Sequence, residues 1–153
     1  SARKVESAVY LSEFHPSVNS YELEAVFNVH NAQQNFGLNL CAGSASSNGF
    51  QKVIVGYDAA TGNLYLDRRF SGDVSFHPSF PSVVTAPFAA ADGYVKFNIF
   101  VDKSSIEVFV NDGQRVFTSL IFPHPDNRAI ELFSSNGPTT LRRLTAWPMA
   151  ATH

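Results

Sequence analysis

From Tyr21 to His30 the chain alternates: Tyr21, Leu23, Ala25, Phe27 and Val29 fall on one face of an extended segment, with Glu22, Glu24, Asn28 and His30 opposite. Successive side chains of a strand point to opposite faces, so this period of two marks a strand with one buried and one wet face. The same short pattern recurs at Ala8–Phe14, Asn35–Ala42, Gly49–Tyr57, Asn63–Arg69, Tyr94–Asp102, Ser105–Asn111, Arg115–Phe122, Ala129–Ser134 and Thr139–Trp147. No segment sustains a 3.6-residue period; Ala89–Ala91 is short and runs into Asp92-Gly93, a loop signal. Many short strands with turn signals every ~8–12 residues predict a sandwich or barrel, and the lack of helices favours two packed sheets. The expected architecture is all-β: a two-sheet antiparallel sandwich, jelly-roll or concanavalin-like, of about ten to twelve strands. It occupies 1–153 as a single domain.

The turns support this reading. Asp58-Ala-Ala-Thr-Gly62 and Asn111-Asp-Gly113 have the chemistry of compact hairpin loops, the second with residues that tolerate positive φ. Asp102-Lys-Ser-Ser105 is a further tight reversal. Together they predict a four-strand meander from Tyr94 to Ser134. Phe70 to Ala91, with His77-Pro-Ser-Phe-Pro81 and Ala86-Pro87, reads as one long irregular stretch, because prolines remove ladder donors. A structureless stretch that long in a compact domain usually serves function or packing.

Within the meander, Val95, Phe97, Ile99 and Val101 share a face with Ile106, Val108 and Val110, the expected core side. Phe100, Phe109 and Phe117 are assigned to the opposite face, among Lys96, Asn98, Glu107 and Asn111. Charged residues make up only 16% of the chain, against roughly 25% in an average domain, and there are 14 Phe. That leaves apolar surface for a neighbour, and an apolar patch on a wet face commonly marks an interface.

Several function classes are excluded. A net charge of −2, with basic residues paired only at Arg68-Arg69 and Arg142-Arg143, gives no footprint for nucleic acid or anionic membrane. No apolar run reaches the length of a membrane span, and without a charged n-region and apolar h-region at the start no signal peptide is expected in these residues. The single Cys41 precludes an internal disulfide and reads as a small buried hydrophobe. There is no N-glycosylation sequon, phosphate loop or nucleophile elbow. The five His lack metal-ligand spacing, so neither metal nor cofactor is expected. His15, His77 and His124 each precede Pro and read as loop geometry.

Glycosidases use a pair of carboxylates, which makes Asp58, Asp67, Asp102, Glu107 and Asp112 worth weighing. Asp58, Asp102 and Asp112 sit at turns, Asp67 beside two arginines and Glu107 mid-strand, all consistent with structural roles. A sugar site needs an aromatic face and planar polar groups. The hairpin with Tyr57, Tyr65, Asp67 and Arg69 offers both, with Tyr65, Asp67 and Arg69 on one face and Arg68 on the other. A cross-strand ladder without ligand has the same spacing.

The segments Val55-Gly-Tyr-Asp58, Leu64-Tyr-Leu-Asp-Arg68, Ser71-Gly72, Phe76-His-Pro and Thr85-Ala-Pro87 occur in order. They are followed by Ile99-Phe-Val-Asp-Lys-Ser-Ser-Ile-Glu-Val-Phe109, Asn111-Asp-Gly113 and Ile130-Glu-Leu-Phe133. Over Tyr21 to Trp147 this resembles the C-terminal domain of glycoside hydrolase family 32, which includes invertases, levanases and inulinases. The resemblance implies an antiparallel sandwich that supports an N-terminal catalytic five-bladed propeller, packs on it and sometimes dimerises. That propeller's motifs, Trp-Met-Asn-Asp-Pro-Asn-Gly, Arg-Asp-Pro and Glu-Cys, do not occur here, so no catalytic residue carries over and the chain is not expected to be an enzyme alone. The implied function is accessory to a fructan- or sucrose-cleaving hydrolase in a secreted protein, with Phe100, Phe109 and Phe117 toward the propeller. The alternative is a fructan-binding module or lectin acting on levan or inulin, since family 66 carbohydrate-binding modules resemble this sandwich.

Overall fold

The computed structural model describes residues 2–43, 51–70 and 83–149. Their strands are β1 (Arg3–Val5), β2 (Val9–Tyr10), β3 (Ser20–Asn28), β4 (Asn35–Ala42), β5 (Lys52–Asp58), β6 (Asn63–Phe70), β7 (Val83–Pro87), β8 (Tyr94–Asp102), β9 (Ser105–Val110), β10 (Arg115–Leu120), β11 (Ala129–Ser135) and β12 (Thr139–Pro148). Two six-stranded antiparallel sheets result, ordered β1-β12-β3-β8-β9-β10 and β2-β11-β4-β5-β6-β7. The expected all-β sandwich is therefore present. Each predicted strand has its counterpart, and β1 and β7 are additional.

The alternation that predicts β3 also fills the core. Tyr21, Leu23, Ala25 and Phe27 are fully buried on the inner face of the first sheet, as are Val95, Phe97, Ile99, Val101, Ile106, Val108 and Val110 within 1%. Phe36, Leu38 and Leu40 of β4, Val53 and Val55 of β5, and Leu64 and Leu66 of β6 close on them from the second sheet. An aromatic chain crosses between the layers: Phe97 to Phe27 at 6.0 Å, Phe27 to Phe36 at 4.9 Å, Phe36 to Tyr57 at 5.8 Å and Tyr57 to Phe88 at 6.2 Å between centroids. Contacts of this kind add ~0.5–1.5 kcal/mol each beyond area burial. Gln34 fastens the β3–β4 crossing between sheets. Its Oε1 accepts the backbone N–H of His30 and Asn31, and its Nε2 donates to Asn28 O and Thr139 Oγ1. On the open side, Arg68 donates to Leu120 O and Arg115 to Pro87 O, each at 2.9 Å, tying the β6–β7 edge to β10.

Two expectations need correction. The meander has three strands, β8 to β10, not four, because β11 pairs with β2 and β4 in the other sheet. The link from Ile121 to Arg128 carries Pro123 and Pro125. Two missing donors prevent a tight hairpin there, and the chain crosses the sandwich instead. The stretch from Phe70 to Ala91 is not wholly irregular either: Val83–Pro87 pairs with β6, Tyr65 opposite Thr85. Pro87 is tolerated because it ends an edge strand. Residues 71–82, including His77, lie outside the described residues.

The turns behave as their residues dictate. Asn111 and Asp112 have φ of 47° and 62°, and Gly113 has 95°. Asn111 is buried rather than on the wet face: its Oδ1 accepts Lys96 N–H at 2.7 Å and its Nδ2 donates to Tyr94 O at 3.3 Å. Lys103 takes a φ of 42° in the β8–β9 reversal. Asp58 caps its own turn by accepting Ala60 N–H at 3.1 Å.

Candidate functional site

The β5–β6 hairpin does not gather all four residues proposed for sugar contact. Tyr57 is 3% exposed and turns into the core, where its hydroxyl donates to Phe88 O at 2.8 Å. Strand parity explains this: Tyr57 pairs with Leu64 and Phe36, both inward, whereas Tyr65 pairs with Gly56 on the outer face. Tyr65, Asp67 and Arg69 do share the outer side, and Arg68 turns away toward Leu120, as expected. The Tyr65 ring lies over Gly56 and reaches β4, its hydroxyl donating to Asn35 Oδ1 at 2.6 Å.

Asp67 is 5% exposed and receives both Nε (3.0 Å) and Nη2 (2.8 Å) of Arg69, plus the Arg69 backbone N–H at 3.0 Å. Burial pushes its carboxyl up, but the Arg69 bonds and charge and the Lys52 charge outweigh that and hold it below the usual carboxylate range. Burial, with the charges of Asp58 and Asp67, raises Tyr65 above the ordinary phenol value. Further along the Asp67 rung, Asn39 Nδ2 donates to Glu131 Oε1 at 2.7 Å, likewise an internal pair. This face is a rigid polar ladder whose groups largely satisfy each other.

The outer face of the first sheet differs. Phe100 and Phe109 meet edge to face with centroids 5.8 Å apart, both half-buried. Phe117 is not beside them. It is 7% exposed, pairs with Val108 and belongs to the core, because β9 and β10 put residues 108 and 117 on the same inward rung. Residues not singled out from sequence extend the patch: Val116 (51% exposed) stands opposite Phe109, with Leu120 (57%) and Trp147 (40%) on the same face. Glu22, Glu24 and Lys96 intervene, each with a partner: Asn98 donates to Glu22, Arg143 bonds Glu24, and Lys96 bonds Asp112. Trp147 was not legible from alternation: counting by twos from buried Leu141 turns it inward, and only the bulge between Leu141 and Arg143 sends it out.

Comparison with known proteins turns on residues 2–148, which match the model of the glycosyl hydrolases family 32 C-terminal domain. The chain belongs to that family. It is 39% identical over 135 residues to a levanase of Bacillus subtilis strain 168, covering 87% of this chain and 19% of that protein. Against an extracellular exo-inulinase of Aspergillus awamori it is 37% identical, covering 87% of this chain and 24% of that protein. The crystal structure of exo-inulinase from Aspergillus awamori superposes with a TM-score of 0.82 at 30% identity, over 99% of this chain and 29% of that one. This family 32 domain thus spans 19% and 24% of these two curated relatives. Its sandwich corresponds to the C-terminal part of hydrolases that carry their other residues elsewhere.

Proposed function

We propose that the chain is the non-catalytic accessory domain of a secreted fructan- or sucrose-cleaving hydrolase, docked on the catalytic propeller through the outer face of its first sheet. The observation that carries this is the Phe100–Phe109 pair with Val116, Leu120 and Trp147 around it, an apolar patch on a face where alternation calls for polar residues. A fixed partner would remove that surface from water. The family and the names of the relatives, levanase and extracellular exo-inulinase, supply the substrate class and the secreted setting.

The carboxylates support the non-catalytic part. Asp58 caps a turn, Asp67 holds Arg69, Glu131 takes Asn39 and Asp112 takes Lys96. None of these is a free acid set opposite a free base across a cleft, as glycoside hydrolysis requires.

The test is Phe100→Ser/Phe109→Ser in the intact hydrolase and, in parallel, in the 153-residue chain. In the chain alone the loss should stay near the ~0.5–1.5 kcal/mol of one aromatic contact plus some area. In the intact protein the single cooperative unfolding transition should split into two. A transition that stays single and unshifted would place the propeller contact on another face.

A further inference from the structure

We propose that a cleft beside β2, outside the hairpin and the Phe face, binds a single sugar ring; on the function proposed above, that ring is a fructosyl unit. The cleft encloses about 370 Å³, within the range of small-molecule sites. Tyr10, Phe14 and His15 wall it, and Asp126 and Arg128 stand at its polar side. Sugars combine an apolar C–H face with ring hydroxyls, so they need an aromatic surface with planar donors and acceptors alongside. This cleft places both kinds of group in one concavity, which the flat hairpin face does not.

The floor and the Phe14 wall are fixed before any ligand arrives. The floor is the buried pair Leu11 and Ile130, joined by Leu11 N–H to Ile130 O at 2.8 Å where β2 runs onto β11. Phe14 is held edge-on against fully buried Tyr21 at 5.6 Å between centroids. Tyr10 is 46% exposed, and its hydroxyl donates to Gly43 O at a long 3.4 Å.

Arg128 has unused donors. Its Nη1 donates to Pro125 O at 2.9 Å and lies 3.9 Å from Asp126 Oδ1, while its Nε is buried without an acceptor among the described residues. An ion pair that long, with the carboxylate mostly exposed, contributes little and yields readily to a ligand. Two neighbouring hydroxyls fit this arrangement: the guanidinium donates to one oxygen and the Asp126 carboxylate accepts from the other O–H. Arg128 also lines a second cavity of about 350 Å³ beside Pro123 and Pro125, which leaves room for the guanidinium to swing.

The experiment is an NMR titration of the 153-residue chain with fructose, short inulin and levan oligosaccharides and, as a control, a cello-oligosaccharide. Saturable shifts are expected at the amides of Tyr10, Leu11, Arg128 and Ile130. Tyr10→Ala and Arg128→Ala should each weaken binding by about tenfold or more, the scale of one lost charge-assisted hydrogen bond or stacking surface, while Tyr65→Ala leaves it unchanged. Because Tyr10 and Arg128 are partly exposed, well-dispersed spectra will show that the variants stay folded. No saturable shift with any sugar, shifts confined to the Tyr65 hairpin, or binding indifferent to both variants would each overturn the site. Binding of the cello-oligosaccharide at this cleft with fructans ignored would keep the site and overturn the fructosyl assignment. None of these outcomes bears on propeller docking, which the unfolding of the Phe100/Phe109 variant reports separately.

Discussion

Gly56→Ala tests how the second sheet is built. A Cβ at Gly56 would stand 2.5 Å from both Cζ and Oη of Tyr65 and 3.0 Å from the Phe36 carbonyl oxygen. Real side chains do not approach so closely, so the phenol must lift off β5 and release Asn35 Oδ1, now 2.6 Å away. The lost hydrogen bond is worth ~1 kcal/mol and the displaced ring ~1–3 kcal/mol of strain or lost packing. Replacing Gly by Ala in a strand returns ~0.5–1 kcal/mol through chain entropy. The net is a destabilisation of about 2 kcal/mol, which for a chain of this size lowers Tm by roughly 4–8 °C. Urea and thermal unfolding followed by circular dichroism will measure it. The decisive arm is the Tyr65→Ala background: with the ring gone, Gly56→Ala should be neutral or stabilising by up to ~1 kcal/mol. A cost of about 2 kcal/mol that persists without Tyr65 would refute the reasoning and move the obstruction to the backbone. Gly37→Ala supplies the contrast. Its Cβ would meet Val55 O at 2.0 Å and the Gly56 Cα at 2.6 Å, atoms of the neighbouring strand that cannot rotate away. It should cost more than Gly56→Ala and find no relief from Tyr65→Ala.

Asp67 sets an acid limb. Its carboxyl is lowered in the fold, so it adds stability that is fully present above the unfolded value of about 3.9 and lost as pH falls through the folded value. Urea midpoints taken from about pH 6 down to about pH 2 should drop more steeply in the native chain than in Asp67→Asn, and equal slopes would remove Asp67 from that role. Cys41 is fully buried, and its thiol is pushed up to about 12 by burial. A disulfide reagent at mildly alkaline pH should therefore label it only as fast as the chain unfolds; prompt labelling of the folded protein would contradict that burial.

The inner faces were legible because one physical rule governs them. In β3, β8 and β9 every second residue is apolar and most residues between them are polar or charged, Val26, Phe100 and Phe109 being the exceptions, so the period of two fixes which side is dry. β10 carries no such contrast: Val116 and Leu120 are apolar on one face, Phe117 and the following Ile121 on the other. Its orientation is set by the Asn111–Gln114 turn, which places Arg115 opposite Val110 and so Phe117 opposite Val108. Counting back through that turn would have turned Phe117 inward. Tyr57 failed for a related reason. Its strand reads Val53, Val55, Tyr57 on the inward parity, but a tyrosine beside Asp58 looks like surface chemistry unless the hydroxyl has an internal acceptor, here Phe88 O. That acceptor follows a segment of weak pattern, so sequence had no means of supplying it. The β2 cleft was invisible for the same cause: it joins residues 10–16 to residues 126–130 across the sheet crossing at Pro123 and Pro125. Reading a four-strand meander sent β11 to the wrong sheet and separated the two halves of the cleft.

The proposed docking face rests on departures from alternation rather than on alternation itself. Phe100 and Phe109 stand at wet positions on the outer face, where the alternation places them. The structure shows why two residues understate the patch. Val116 is the register partner of Phe109, and Trp147 stands two strands from Phe100 with Glu22 between them. The apolar residues therefore run from β12 to β10, four interstrand spacings or about 19 Å. A contact of ordinary size between domains buries about 800 Å² on each side, and a patch this wide fills much of that. Glu22 and Glu24 inside it are already paired with neighbours on the same face, Asn98 and Arg143, so a covering partner has to supply a counter-group to the exposed Glu107, the register partner of Phe100. Across the sandwich, the outer face of β11, β4, β5 and β6 is dense in amide, carboxylate and guanidinium groups bonded to one another. Burying such a face against a flat partner would cost desolvation with few new bonds to offset it. Phe100 and Phe109 sit near the middle of the apolar strip, where truncation in a contact costs most. That is why the double substitution at these two positions separates a domain interface from a merely tolerated surface pair.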